Sequence, residues 1–179
     1  MKKKIKKNHI KIGILGGTFD PPHKGHLHIC KVTIKKLKLS KLFWVVTKKN
    51  PLKNKPALEI KKRISLSKKI SENEKKVCVR YFDKRINSTK TFNLLNYIKK
   101  KNLKAKLFFL IGEDNLAHFH KWSNWKKIPT LAKIVVFPRG DHLSNRTKVK
   151  AFKILDKNDF IFINAKKINI SSSLIRKFW

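Results

Sequence analysis

Residues 12–28 read IGILGGTFDPPHKGHLH, and the types there that can do chemistry are two imidazoles, His23 and His26, spaced HxGH around Gly25 and preceded by Gly16 and Gly17. Glycine lets a backbone come close to a ligand and turn N–H groups toward it. Imidazoles placed where a helix begins donate hydrogen bonds within the positive field of the helix dipole. Together these are the means of holding a phosphate. The stretch is nevertheless neither GxxxxGK[ST] nor GxGxxG, the two familiar phosphate-binding patterns. A metal ion is the competing guest for His23, His26 and His28, but no cluster of carboxylates or thiolates stands by to complete its shell; no metal site is assigned, and His28 reads as a packing or surface residue. Asp20 has two readings, a Mg²⁺ ligand or a turn residue whose carboxylate accepts backbone N–H groups, and the turn is favoured.

The elements that must carry these residues follow from periodicity. Runs rich in Val, Ile and Phe at 10–15, 41–47, 76–82, 106–112, 132–138 and 159–164 have the look of strands buried on both faces. Between them, His26 to Leu39, Ala57 to Ile70, Thr91 to Lys101 and Asn115 to Ile128 have helical period. Strand and helix alternate along the chain, which predicts a doubly wound, mainly parallel α/β sheet with right-handed crossovers in a single domain spanning residues 1–179. The opening stretch then falls between the first strand and the first helix, where ligands bind in such folds. Residues 48–55 and 140–149 are the expected mobile stretches.

A second run, ISSSLIR at 170–176, joins serines able to cap a helix N-terminus to the donor fork of Arg176. GGTFDPPHKGHL and ISSSLIR together resemble the paired signatures of the nucleotidylyltransferase superfamily. Within it, GEDNLAHFHKWSNWKKI (112–128) and NPLK (50–53) are similar to segments of the bacterial nicotinate mononucleotide adenylyltransferases. The resemblance implies a Rossmann-like nucleotidylyltransferase fold and transfer of the ATP adenylyl group to nicotinate mononucleotide. It places ATP on Gly16, Gly17, Thr18, Phe19, His23, His26, Ser171, Ser172 and Arg176, with His23 and His26 catalytic and Mg²⁺ carried in with ATP. For the mononucleotide it offers Lys53, Ser88, Thr89, Asp114, Trp122 and Arg139. Trp122 and Trp125 also read as packing residues, and Lys53 and Arg139 as ordinary surface cations. The chain departs from the family pattern at Lys90, where an aspartate is usual, and in NPLK, which lacks a histidine. An enzyme acting on the amide mononucleotide is therefore the alternative.

Composition bounds the remainder. Lys and Arg number 46 against 10 Asp and Glu, a net charge of +36, which by itself suggests nucleic acid. Only six are arginine, however, and the lysines are spread along the whole chain. Readers of DNA or RNA rely on bidentate arginines and exposed aromatics. The excess of Lys, Asn, Ile and Phe is what AT-rich codons give, so no specific nucleic-acid partner is expected. Two cysteines without a CxxC pair read as reduced core residues. No apolar run approaches the 18 residues a membrane span requires, and the basic N-terminus is broken too soon for a signal peptide, so a cytoplasmic enzyme is expected.

Overall fold

In the computed structural model, which describes residues 10–50, 54–137, 149–166 and 168–179, the six apolar runs form one sheet. Its strands are β1 (Lys11–Gly17), β2 (Lys41–Val46), β3 (Val77–Arg80), β4 (Lys106–Gly112), β5 (Lys133–Phe137) and β6 (Phe160–Phe162). The order across the sheet is β3-β2-β1-β4-β5-β6, and every adjacent pair is parallel. Each strand lies within two residues of its expected ends. The alternation of strand side chains explains the unbroken apolar runs: Leu42, Trp44 and Val46 enter one core, while Phe43 and Val45 enter the other.

The helices are α1 (Lys24–Leu37), α2 (Ile60–Ser71), α3 (Asp83–Ile86), α4 (Thr91–Lys101), α5 (Glu113–Ala117), α6 (Lys150–Ile154) and α7 (Ser172–Arg176). On one face α1 buries Cys30 and Ile34 against the sheet, and α2 adds Ile60 and Ile64. Burying a side chain the size of Ile34 contributes about 1.5–3 kcal/mol. On the other face α4 supplies Leu95 and Ile98, α5 Leu116, and α6 Ala151. Helix α1 ends where Lys38 turns left-handed (φ 52°) and returns its N–H to Ile34 O, with Lys35 and Lys36 set favourably against the dipole.

Three expectations need correction. The helix predicted over 115–128 is broken: α5 stops at Ala117, and two 3₁₀ turns, Phe119–Lys121 and Trp125–Thr130, follow. Trp122 is extended and Asn124 left-handed (φ 55°), a conformation for which Asn is suited and which no helix continues through. Helix α1 starts at Lys24, two residues before the first residue of its helical period, with His23 as its N-cap and His26 in its first turn. Gly16 and Gly17 are strand residues, paired with Val45 and Val46, rather than loop residues. Of the two stretches expected to be mobile, residues 51–53 and 140–148 lie outside the described residues.

Candidate active site

The strand order reverses between β1 and β4, and there, at the C-terminal ends of the strands, opens a cleft of about 1470 Å³. Such reversal points are where doubly wound sheets bind ligands. One wall carries Gly16, Gly17, Thr18, Phe19, His23 and His26; facing them stand Ser171, Ser172 and Arg176. Across the reversal the same cleft is lined by Ser88, Thr89, Asp114 and Trp122. Every candidate residue within the described part of the chain therefore meets in one space. Lys53 and Arg139 lie outside the described residues.

The HxGH spacing has a steric cause. His23 is the N-cap of α1, and the His26 N–H bonds back to His23 O at 2.9 Å. The His23 N–H in turn donates to His26 Nδ1 at 3.2 Å, so the ring proton of neutral His26 sits on Nε2 as a donor. The two imidazoles stack with centroids 3.7 Å apart. A Cβ at Gly25 would lie 2.9 Å from His23 Nδ1, so only glycine admits the stacked ring. Phe19, buried and left-handed (φ 50°), meets His26 edge-on at 4.9 Å and supports it from behind against Trp44. Phe19 thus both lines the cleft and packs against His26. His28, read as a packing or surface residue, also lines the cleft.

The carboxylate of Asp20 accepts the N–H groups of Ala57 and Leu58 at 2.7 and 2.8 Å. The backbone-accepting reading of Asp20 holds, with partners 37 and 38 residues away instead of in its own turn. Its carbonyl takes a hydrogen bond from Arg176 Nη1, and the neighbouring Pro21 O accepts from Ser172 Oγ at 2.8 Å. Ser171 caps α7 by accepting from Leu174 N at 3.1 Å. The two signatures are thus fastened together at residues 20–21, and the Ser172 proton is engaged in that fastening.

Sequence reasoning missed Arg63. It is 2% exposed and donates to four carbonyls: Thr18 O (2.6 Å), Thr47 O (2.7 Å), Lys48 O (3.0 Å) and Leu58 O (2.9 Å). Burial pushes its guanidinium below the ordinary arginine value, and Asp20 and Asp83 pull in the opposite direction. Each carbonyl left unpaired by its loss would cost about 1–3 kcal/mol. Asp83 holds the same region by accepting from Thr47 Oγ1 (2.7 Å) and Lys48 N (2.6 Å). An arginine on an otherwise ordinary amphipathic helix gives no signal of this in sequence.

On the far side Ser88 Oγ accepts from Lys90 N (3.1 Å) and Asn93 Nδ2 (3.0 Å), which leaves its own O–H as a donor. Trp122 packs on Phe109 and Phe119, with centroids 6.1 and 5.2 Å away, while also lining the cleft. Trp125 packs on Phe119 and does not reach the cleft, so the paired tryptophans part in role. Asp114 lies in the first turn of α5.

A cleft of this size at a sheet reversal, with an imidazole-bearing helix N-terminus on its wall, is a site suited to holding phosphate groups. Residues 14–178 match the model of the cytidylyltransferase-like family, and the chain belongs to that family. Within it, the chain is 44% identical over 167 residues to a probable nicotinate-nucleotide adenylyltransferase of Pelagibacter ubique (strain HTCC1062), covering 93% of this chain and 92% of that one. It is 38% identical over 136 residues to a protein of the same description from Ruegeria sp. (strain TM1040), covering 75% and 71%. In fold it is similar to the Plasmodium falciparum nicotinic acid mononucleotide adenylyltransferase complexed with NaAD, with a TM-score of 0.72, 23% identity and coverage of 95% of this chain and 84% of that one. Among the described residues no helix is long and apolar enough to cross a membrane.

Proposed function

We propose that the protein transfers the adenylyl group of ATP to nicotinate mononucleotide, forming nicotinate adenine dinucleotide and pyrophosphate in NAD biosynthesis. The observation that carries this reading is the single cleft in which the HxGH turn, the ISSSLIR segment and the Ser88–Trp122 side face one another. A phosphate oxygen of the mononucleotide attacks the α-phosphorus of ATP, and the bond to the β-phosphate oxygen breaks as pyrophosphate leaves. Such a transfer calls for alignment of two polyanions and stabilisation of the charge developed in the transition state. His26 Nε2–H donates to the α-phosphate, backed by the dipole of α1. His23 contributes from the N-cap, and Arg176, already fixed to Asp20, faces the departing pyrophosphate together with the Ser171 hydroxyl.

Mg²⁺ enters with ATP. Both Asp20 oxygens accept backbone N–H groups, so this carboxylate is a poor fit for a protein-held ion. On the mononucleotide side, Trp122 covers the pyridine ring and Asp114 faces the ribose. The Trp122 N–H is bonded to Phe119 O at 3.0 Å, so the neighbouring Ser123 N–H and the Ser88 hydroxyl are the donors for the ring carboxylate. Donors facing the amide's NH₂ would be left unpaired, at about 1–3 kcal/mol each, which favours the acid by tenfold or more. Attraction by the net charge would be screened beyond about 8 Å at physiological salt. Incubation with ATP, Mg²⁺ and each mononucleotide, at low and high salt, tests the reading. Dinucleotide and pyrophosphate should form in equal amounts, with kcat/KM higher for the acid at both salts. Equal values for the two substrates, or a preference abolished by salt, would transfer the assignment to the amide enzyme or to a nonspecific site.

A further inference from the structure

We infer that Arg63 is a positioning residue that couples the two halves of the cleft, so that ATP and the mononucleotide each tighten the binding of the other. This rests on the two-substrate reading above. The guanidinium is a rigid planar fork, and its four acceptors belong to three different segments. Thr18 O is in the phosphate-side turn after β1, Thr47 O and Lys48 O follow β2, and Leu58 O precedes α2. Two carboxylates extend the linkage. Asp20 binds the 57–58 backbone to the phosphate side, where Arg176 is attached to the Asp20 carbonyl. Asp83 binds Lys48 N and, through its own carbonyl, receives the Ser88 N–H at 3.1 Å on the mononucleotide side. A continuous path of hydrogen bonds therefore runs from Thr18 through Arg63, Lys48 and Asp83 to Ser88. Arg63 does not line the substrate cleft, so it acts only through what it holds.

A fork that cannot bend cannot release one carbonyl to a new position without disturbing the others. Ordering of Thr18 by ATP phosphates thus orders Lys48 and Ser88 in advance of the mononucleotide, and thermodynamic reciprocity requires the converse by the same factor. The test is the Kd of α,β-methylene ATP, which cannot react at the scissile bond, measured by calorimetry with and without saturating nicotinate mononucleotide. The wild-type ratio should be about fivefold or more. In Arg63→Met it should fall below about twofold, and Arg63→Lys, whose ammonium reaches fewer of the carbonyls, should lie between. A residue of merely structural importance would raise both constants or lower the melting temperature and leave their ratio unchanged. Should Arg63→Met fail to fold, Arg63→Lys decides. A wild-type ratio of one, or an undiminished ratio in a folded variant, overturns the inference. Failure of the wild type to form dinucleotide would instead overturn the functional reading on which it rests.

Discussion

Replacing Gly25 by alanine should separate activity from stability. The added Cβ would lie 2.9 Å from His23 Nδ1, 3.0 Å from His23 Cε1 and 3.2 Å from Ile170 Cγ2. Ordinary contact begins near 3.4 Å, so the His23 ring must retreat by about half an ångström. The ring is the far end of a side chain rather than backbone, so it yields at lower energetic cost than the main chain would. Alanine in place of glycine within a helix contributes up to about 1 kcal/mol of stability in return. The melting temperature of Gly25→Ala should therefore stay level or rise by up to about 2–4 °C. Activity should move the opposite way. The displaced ring is stacked on His26 at 3.7 Å and carries that donor with it. Misplacement by about 1 Å costs on the order of a hundredfold in rate, so half that distance predicts a fall in kcat of about tenfold. Dinucleotide formation at saturating substrates and a thermal melt on the same preparation measure both quantities. Wild-type kcat in a folded Gly25→Ala protein would refute the claim that the His23 ring position sets that of His26.

His26→Ala should lower turnover by about a hundredfold or more while the fold survives, since a transition-state donor is worth about 3–4 kcal/mol; near-normal turnover in the folded variant would remove His26 from the chemistry. Arg176→Ala should raise the apparent KM for ATP well above any change for the mononucleotide, and the reverse pattern would place Arg176 in the wrong half of the cleft. Cys30 is fully buried, and burial pushes its thiol far above the ordinary value, whereas Cys78 is half-buried. A disulfide reagent should therefore titrate at most one thiol slowly in the native protein and two after denaturation, and two fast native thiols would contradict the packing around α1.

The sheet was legible in the sequence because strands buried on both faces leave unbroken apolar runs, and two segments that share the cleft were legible because HxGH and ISSSLIR are rare combinations. Helix α4 was read at both ends. The segment after β4 departs from its apparent helix because Leu116, Phe119 and Trp122 have helical spacing, yet Leu116 is buried from a short helix and Phe119 from a 3₁₀ turn, Trp122 is extended, and Asn124 is left-handed before a second 3₁₀ turn buries Ile128. Apolar spacing reports which residues face the core and not whether the backbone between them is continuous. Arg63 and Asp83 were illegible for a different reason. Their partners are main-chain carbonyls and N–H groups, which every residue possesses, so nothing in the neighbouring side chains marks the acceptor positions.

The sheet tapers from seven residues in β1 and β4 to four in β3 and three in β6 at its margins. At about 3.3 Å per residue, the outermost strands are roughly 13 and 10 Å long and offer only a few unpaired backbone groups apiece. Long, open margins are where β-rich chains recruit one another into aggregates. A lysine-laden chain full of isoleucine and phenylalanine is in this way protected twice, by a sheet with little room for an added strand and by a net charge of +36 that repels approaching copies. Among the described residues, the margins of the sheet therefore offer a second copy little backbone to pair with.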